Sequence, residues 1–197
     1  VFLWSVEDPN SPRRLATITE HNKDIFGLAF SPDRKALASA SWDKSVRLWD
    51  ISNPAAPAKL AELADHQDAA HDVTFSRDGK LMVSTDDRSN LYFWDVTNPA
   101  SPKKLHEAQR PDRVGQLVFN PDGKTLATGD GAGRVTLFDI SHPASPKEIA
   151  AQQKHTGTVF AIVFSPDGKT MVTAEGSGDS SAPTNGDIVV WRLDGSA

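Results

Sequence analysis

The chain has 197 residues, a formal net charge of −5 and no cysteine. That length can bury a sizeable core, and the lack of cysteine excludes disulfide and thiol chemistry. With Lys and Arg scattered and no basic cluster, nucleic acid is not expected as the main partner; with no long apolar run and no leader-like segment, neither is a membrane, so the expected setting is cytoplasmic.

In chain order, Val1–Val6 reads as a short strand ending in an aromatic residue, followed after Asp8-Pro9-Asn10-Ser11-Pro12 by a second strand near Leu15. The first full unit then shows a plan. His21-Asn22-Lys23-Asp24 is a polar link, and Ile25–Phe30 is an apolar strand. Ser31-Pro32-Asp33-Arg34-Lys35 is a turn, and Ala36–Ser41 and Ser45–Ile51 alternate as two further strands. Lys59–Leu63, after a double-proline loop, is the fourth. Short strands at this spacing argue an all-β chain.

The same units recur. The turn returns as Ser76–Lys80, Asn120–Lys124 and Ser165–Lys169, each with Asp-Gly at its centre, where Asp bonds its own backbone and Gly takes a positive φ. Arg34 stands where the other copies have Gly, so the first copy must accept a costlier backbone or a different turn. The double-proline loop returns at residues 53–57, 98–102 and 142–146. Proline cannot donate to a ladder, so the strand after it belongs at the outer edge of its sheet. Trp4, Trp49, Trp94, Phe138 and Trp191 fall at intervals of 45, 45, 44 and 53 residues. The longest interval carries a Gly-, Ser-, Asp- and Pro-containing insertion around residues 176–186, which reads as a surface loop; a gate over the rim is the other reading. A repeat of about 40–45 residues with a Trp-Asp end is the signature of propeller blades.

Trp49-Asp50, Trp94-Asp95, the His before each inner strand and the Ser-Pro-Asp-Gly-Lys turn together resemble the WD-repeat β-propeller family, over essentially the whole chain. The proline-rich linkers resemble its bacterial type. The resemblance implies an all-β, partial propeller: residues 1–18 as the last two strands of an incomplete blade, 19–64, 65–108 and 109–152 as three complete four-stranded blades, and 153–197 as an incomplete blade with the long hairpin. The strand inventory suggests a segment of a larger ring, with its end faces covered by neighbouring blades or by self-association.

The resemblance also implies a buried hydrogen-bond chain from Trp through Ser/Thr and His to Asp. The first copy has all four members, His21, Ser39, Asp43 and Trp49. The second has His66, Ser84 and Trp94, but Arg88 stands at the Asp position with Asp87 beside it. The third has Arg110, Thr128, Ala132 and Phe138, as though His, Asp and Trp were lost together. The fourth has His155, Thr173 and Trp191, with Asp179 and Asp187 both open as its acid.

For function, the resemblance implies a non-catalytic scaffold that binds a protein or peptide through its loop rim. Carried over by position, the contact candidates are Phe26, His71 and Phe160 at the starts of inner strands, and Trp42, Asp87 and Arg88 in hairpins. Trp42 is the one Trp off the beat; packing and partner contact are both open for it. The alternative is a sensor propeller attached to an ATPase, kinase or DNA-binding region of a larger bacterial protein. A propeller enzyme fits less well. His66 and His71 make a weak metal pair without a third ligand, so no metal or cofactor is expected.

Overall fold

A computed structural model describes residues 1–176 and 186–193; the insertion singled out above falls mainly outside these residues, as does Asp179. Among the described residues seventeen strands form five antiparallel sheets, and there is no helix. The first sheet pairs β1 (Phe2–Ser5) with β2 (Arg13–Thr17). The next contains β3 (Ile25–Phe30), β4 (Ala36–Ser41), β5 (Val46–Asp50) and β6 (Ala58–Leu63) in sequence order. The third has β7 (Ala70–Phe75), β8 (Leu81–Asp86), β9 (Asn90–Asp95) and β10 (Lys103–Gln109). The fourth has β11 (Val114–Phe119), β12 (Thr125–Asp130), β13 (Arg134–Asp139) and β14 (Lys147–Gln153). The last has three strands, β15 (Thr158–Phe164), β16 (Thr170–Gly176) and β17 (Ile188–Arg192).

Each sheet is an up-and-down meander, and the inner strands β3, β7, β11 and β15 lie side by side in that order. There is no single central core. Four separate apolar clusters sit between successive sheets, and each is built by the two sheets that flank it. Leu3, Ile18, Leu37, Trp49 and Ile51 join the first two sheets. Val46, Leu48, Val73, Met82, Tyr92 and Trp94 join the second and third. Leu91, Phe93, Val114, Leu126 and Phe138 join the third and fourth. Ala127, Val135, Val159, Ile162 and Met171 join the fourth and fifth.

This layout explains the beat of the rings. Trp49 and Trp94 are each 2 % exposed because a neighbouring sheet closes over them. Trp4 holds the same place on β1 but is 53 % exposed, because no described sheet lies against its face of β1. Leu28 and Phe30 on β3, and Val163, Ile188 and Val190 in the last sheet, are likewise exposed.

The turns follow their chemistry. Asp33, Asp78 and Asp167 each accept a bond from the Ser hydroxyl two residues before and from the Lys N–H two residues after. Gly79, Gly123 and Gly168 sit at φ of 70, 71 and 71°. Arg34 keeps the same turn at φ 63°, with its N–H on the Ser31 carbonyl at 2.9 Å, so the first copy accepts the strained backbone and does not change turn type. A left-handed non-glycine residue costs about 1–2 kcal/mol, partly offset by the extra unfolded-state freedom of glycine. Arg34→Gly is therefore expected to raise stability by up to about 1 kcal/mol, read as a higher urea midpoint; a lower midpoint would show that Arg34 makes a contact worth more than the strain.

Candidate functional site

Two sets of residues compete for a functional role: the hydrogen-bonded interiors of the blades and the rim where loops enter the inner strands. The interiors are hydrogen-bonded chains at the blade cores. In the first complete blade the Trp49 indole N–H donates to Ser39 Oγ at 2.9 Å, and Ser39 Oγ meets His21 Nε2 at 2.7 Å. His21 Nδ1 lies 2.8 Å from Asp43 Oδ2. Burial pushes the Asp43 carboxyl upward, but bonds from Ser45 and His21 outweigh it and hold it at about 2. An ionised Asp43 fixes the direction of the chain: Nδ1 donates, Nε2 accepts from Ser39, and Ser39 is left to accept from Trp49.

The second complete blade and the last sheet keep the Trp–Ser/Thr–His part and move the acid. Ser84 Oγ accepts from Trp94 at 2.9 Å and meets His66 at 2.8 Å. The acid of this loop is neither Asp87 nor Arg88's position but Asp86, fully buried at the end of β8. Its carboxylate accepts from the N–H of Gln67, Arg88 and Asn90, from the Asn90 side chain and from the Tyr92 hydroxyl at 2.8 Å. Burial pushes Asp86 upward, yet these bonds win and hold it below the usual carboxylate range. For His66 burial wins: it outweighs the pull of Asp86 and the Leu63 backbone bond and pushes the ring down to about 4, so it is neutral at pH 7.

In the third complete blade the acid is not lost, as the sequence reading had it. Asp130 caps the hairpin by accepting from the N–H of Ala132 at 3.0 Å and Arg134 at 2.9 Å, the pattern that Asp86 makes. Arg110 replaces the His: its guanidinium lies over the Phe138 ring at 5.1 Å and pairs with Glu148 at 2.9 Å. In the last sheet Thr173 joins His155 at 2.7 Å and Trp191 at 2.9 Å. Its acid is Glu175, 3.6 Å from His155 Nδ1, which also accepts from the N–H of Thr156 and Gly157. Asp187 is exposed, and its backbone carbonyl takes the Glu175 N–H. Asp86, Asp130 and Glu175 each follow the network Ser or Thr by two residues, whereas Asp43 follows Ser39 by four. That spacing was the signal in the sequence, and it was missed.

The rim is built by a bulge in every inner strand. Pairing with the next strand slips between Ile25 and Gly27, Ala70 and Val73, Val114 and Gln116, and Val159 and Ala161. The residues thrown out of register are Phe26, His71 (with Asp72), Gly115 and Phe160. A bulge re-aims a side chain, here toward the loop face. Across from each sits one residue of the neighbouring strand end: Trp42, Asp87 and Gly131 just past β4, β8 and β12, and Gly176 as the last residue of β16. The pairing is held by backbone bonds from Trp42, Asp87 and Gly131 to the carbonyls of Asp24, Ala69 and Arg113.

Three rim side chains form a stack. The Phe26 ring lies 4.6 Å from Trp42, at 12° between planes, and 5.4 Å from His71, at 24°. Trp42 therefore packs on its own blade's bulge, and Phe26 carries the stack to the next blade. The stack remains open to solvent: Phe26 is 51 % and Trp42 39 % exposed. Burial, then the nearby Arg113, pushes His71 below its ordinary value. Asp87 pairs with Arg113 at 3.3 Å, and Arg88 and Lys44 reach Asp68 at 3.7 and 3.5 Å. Phe160 stands apart on the last sheet, 49 % exposed, its ring over Gly176.

His66 and His71 do not converge on a third ligand, and among the described residues no group of three or more His, Cys, Asp and Glu is placed to hold a metal. Two adjoining cavities of about 480 and 470 Å³ lie on the opposite face, between the Asp-Gly turns and the proline loops. They share Asp78, Lys80 and Thr97 and include none of the rim residues.

Comparison with known proteins agrees with this architecture. Over 48 residues the chain is 44 % identical to the mouse protein named periodic tryptophan protein 2 homolog, a match covering 24 % of this chain and 5 % of that one. The crystal structure of Saccharomyces cerevisiae Sqt1 superposes with a TM-score of 0.74 at 18 % identity, over 89 % of this chain and 47 % of that one. At that identity the likeness is one of fold. This chain thus spans under half the length of each of these two proteins. They come from mouse and yeast and lend no support to the bacterial type suggested by the linkers. The family described as "WD domain, G-beta repeat" matches residues 12–50, 58–95, 102–139 and 146–192. With four tandem matches over most of its length and one sheet closing on the next, the chain belongs to the WD40 repeat family.

Proposed function

We propose that the chain is a non-catalytic scaffold that binds a protein or peptide through the rim carrying Phe26, Trp42, His71, Asp87, Arg88 and Phe160. The observation that carries this reading is the exposed Trp42–Phe26–His71 stack. It crosses from one blade to the next, belongs to none of the four apolar clusters, and is held out by bulges. Aromatic side chains presented rigidly are the usual anchors of protein interfaces. The charges around the stack are already paired, so they favour orientation over affinity.

The test is selection of peptides from a random phage-displayed library on the wild-type chain, followed by affinity measurement against variants. Phe26→Ala and Trp42→Ala are each expected to weaken selected binders by about tenfold or more. Arg88→Ala, at a rim charge, is expected to change affinity by about threefold or less. Binders indifferent to both aromatic substitutions would show that the stack only packs.

A further inference from the structure

The rim is not level. At three of the four inner strands the bulge presents a ring, Phe26, His71 or Phe160. At β11 it presents Gly115, and the hairpin residue opposite is Gly131, so both members of the pair lack a side chain. Gly115 is buried, with the Gln116 side-chain amide donating to its carbonyl at 3.0 Å, yet beyond its chain neighbours a Cβ built on it would meet nothing within 4 Å. A buried backbone position whose side-chain direction is vacant is the floor of a recess. Gly131 is exposed, and a Cβ there would meet only the Arg113 carbonyl, at 3.9 Å.

The order of inner strands gives the recess its walls. β11 lies between β7 and β15, so the bulge that carries His71 is on one side and the bulge that carries Phe160 on the other. The Asp87–Arg113 pair, at 3.3 Å, stands at the His71 side, and the Thr158 hydroxyl reaches the Gly131 carbonyl at 3.4 Å from the Phe160 side. Asp87 and Arg113 neutralise each other, and burial, then Arg113, pushes His71 below its ordinary value. Among the described residues the surroundings are therefore two ring-bearing bulges and a glycine floor, with Asp87 and Arg113 paired and the Asp72 carboxylate held by the Leu117 N–H at 2.9 Å.

We infer that the recess above the third complete blade receives one uncharged aromatic side chain of a peptide partner, seated between His71 and Phe160 over Gly115 and Gly131. Rings stack on or meet edge-on the walls, and the bare glycine backbone lets them approach closely. An anchor side chain in a pocket beside paired charges is the arrangement in which interface energy concentrates. The inference rests on the rim reading above, and names the chemistry the rim selects.

Filling the recess tests it. Gly131→Leu and Gly115→Leu put a side chain where the structure has room, and neither glycine has a positive φ. Their thermal midpoints, measured alongside, identify whichever variant keeps the fold. Peptides selected on the wild-type chain from a random phage-displayed library are expected to share one Trp, Tyr or Phe. Replacing that residue by Ala, or filling the recess, is expected to weaken binding about tenfold or more. Peptides that respond to Phe26→Ala or Trp42→Ala but not to either filled variant would overturn the recess and leave the rim reading intact. Selected peptides without a shared ring would overturn it too. If no selected peptide responds to any rim substitution, both readings fall.

Discussion

Trp94→Ala is expected to cost about 3–5 kcal/mol, while Trp4→Ala at the matching place on β1 costs under about 1 kcal/mol. Trp94 is almost fully buried between the second and third sheets, packed with Met82, Val73 and Tyr92. Truncating it opens a cavity in a cluster that no other part of the chain can fill. It also removes the donor to Ser84. Trp4 carries the same side chain on a strand whose outward face is bare. For a chain of this size the difference corresponds to a fall in thermal midpoint of roughly 10 °C for Trp94→Ala and a few degrees at most for Trp4→Ala. Urea unfolding of the two variants checks it. Equal losses would mean that burial between sheets is not what the aromatic beat encodes.

The second large effect is at Asp86. Asp86→Ala is expected to cost about 3 kcal/mol or more, because it strands the Tyr92 hydroxyl proton and the Asn90 side-chain amide inside the protein. Asp87→Ala, one residue along, loses only a partly exposed pair with Arg113 and is expected to cost under about 1 kcal/mol. The pH dependence has a definite sign. Asp86 sits below its unfolded value, so its contribution is present above about pH 4 and is lost as the pH falls through its folded value. Asp86→Ala should therefore lose less on acidification than wild type. The comparison of urea midpoints at neutral and acidic pH reads both points. An Asp87→Ala loss as large as that of Asp86→Ala would return the acid to the hairpin position.

How these residues would be arranged was only partly visible in the sequence. Trp49, Trp94 and Phe138 announced the sheets because a large ring every 44–45 residues needs the same kind of burial each time. The acid did not announce itself. Carboxylates two or four residues after the network Ser or Thr can both reach the loop, and the hairpin backbone decides between them. In the first complete blade Ser41 occupies the two-residue place and Asp43 caps the turn; in the second, Asp86 takes over both tasks. The rim residues could be named one by one from the sequence. Their stacking could not, since a bulge swings Phe26 against Trp42 and carries it to His71, and a bulge has no fixed residue signature. The pair of glycines at 115 and 131 was silent because a vacancy is defined by its neighbours.

The shifted acid bears on any attempt to idealise this array. Averaging the repeats into one consensus unit is a common way to design solenoids and propellers. Here it would merge two solutions that exclude each other: a carboxylate at the strand end, as Asp86, Asp130 and Glu175, and one in the hairpin, as Asp43. A merged unit would place two anions in a single loop, where like charges suppress each other's ionisation. A designed ring built from this chain has to copy each strand end and its hairpin as one cassette, with the residue before the inner strand, His or Arg, travelling alongside.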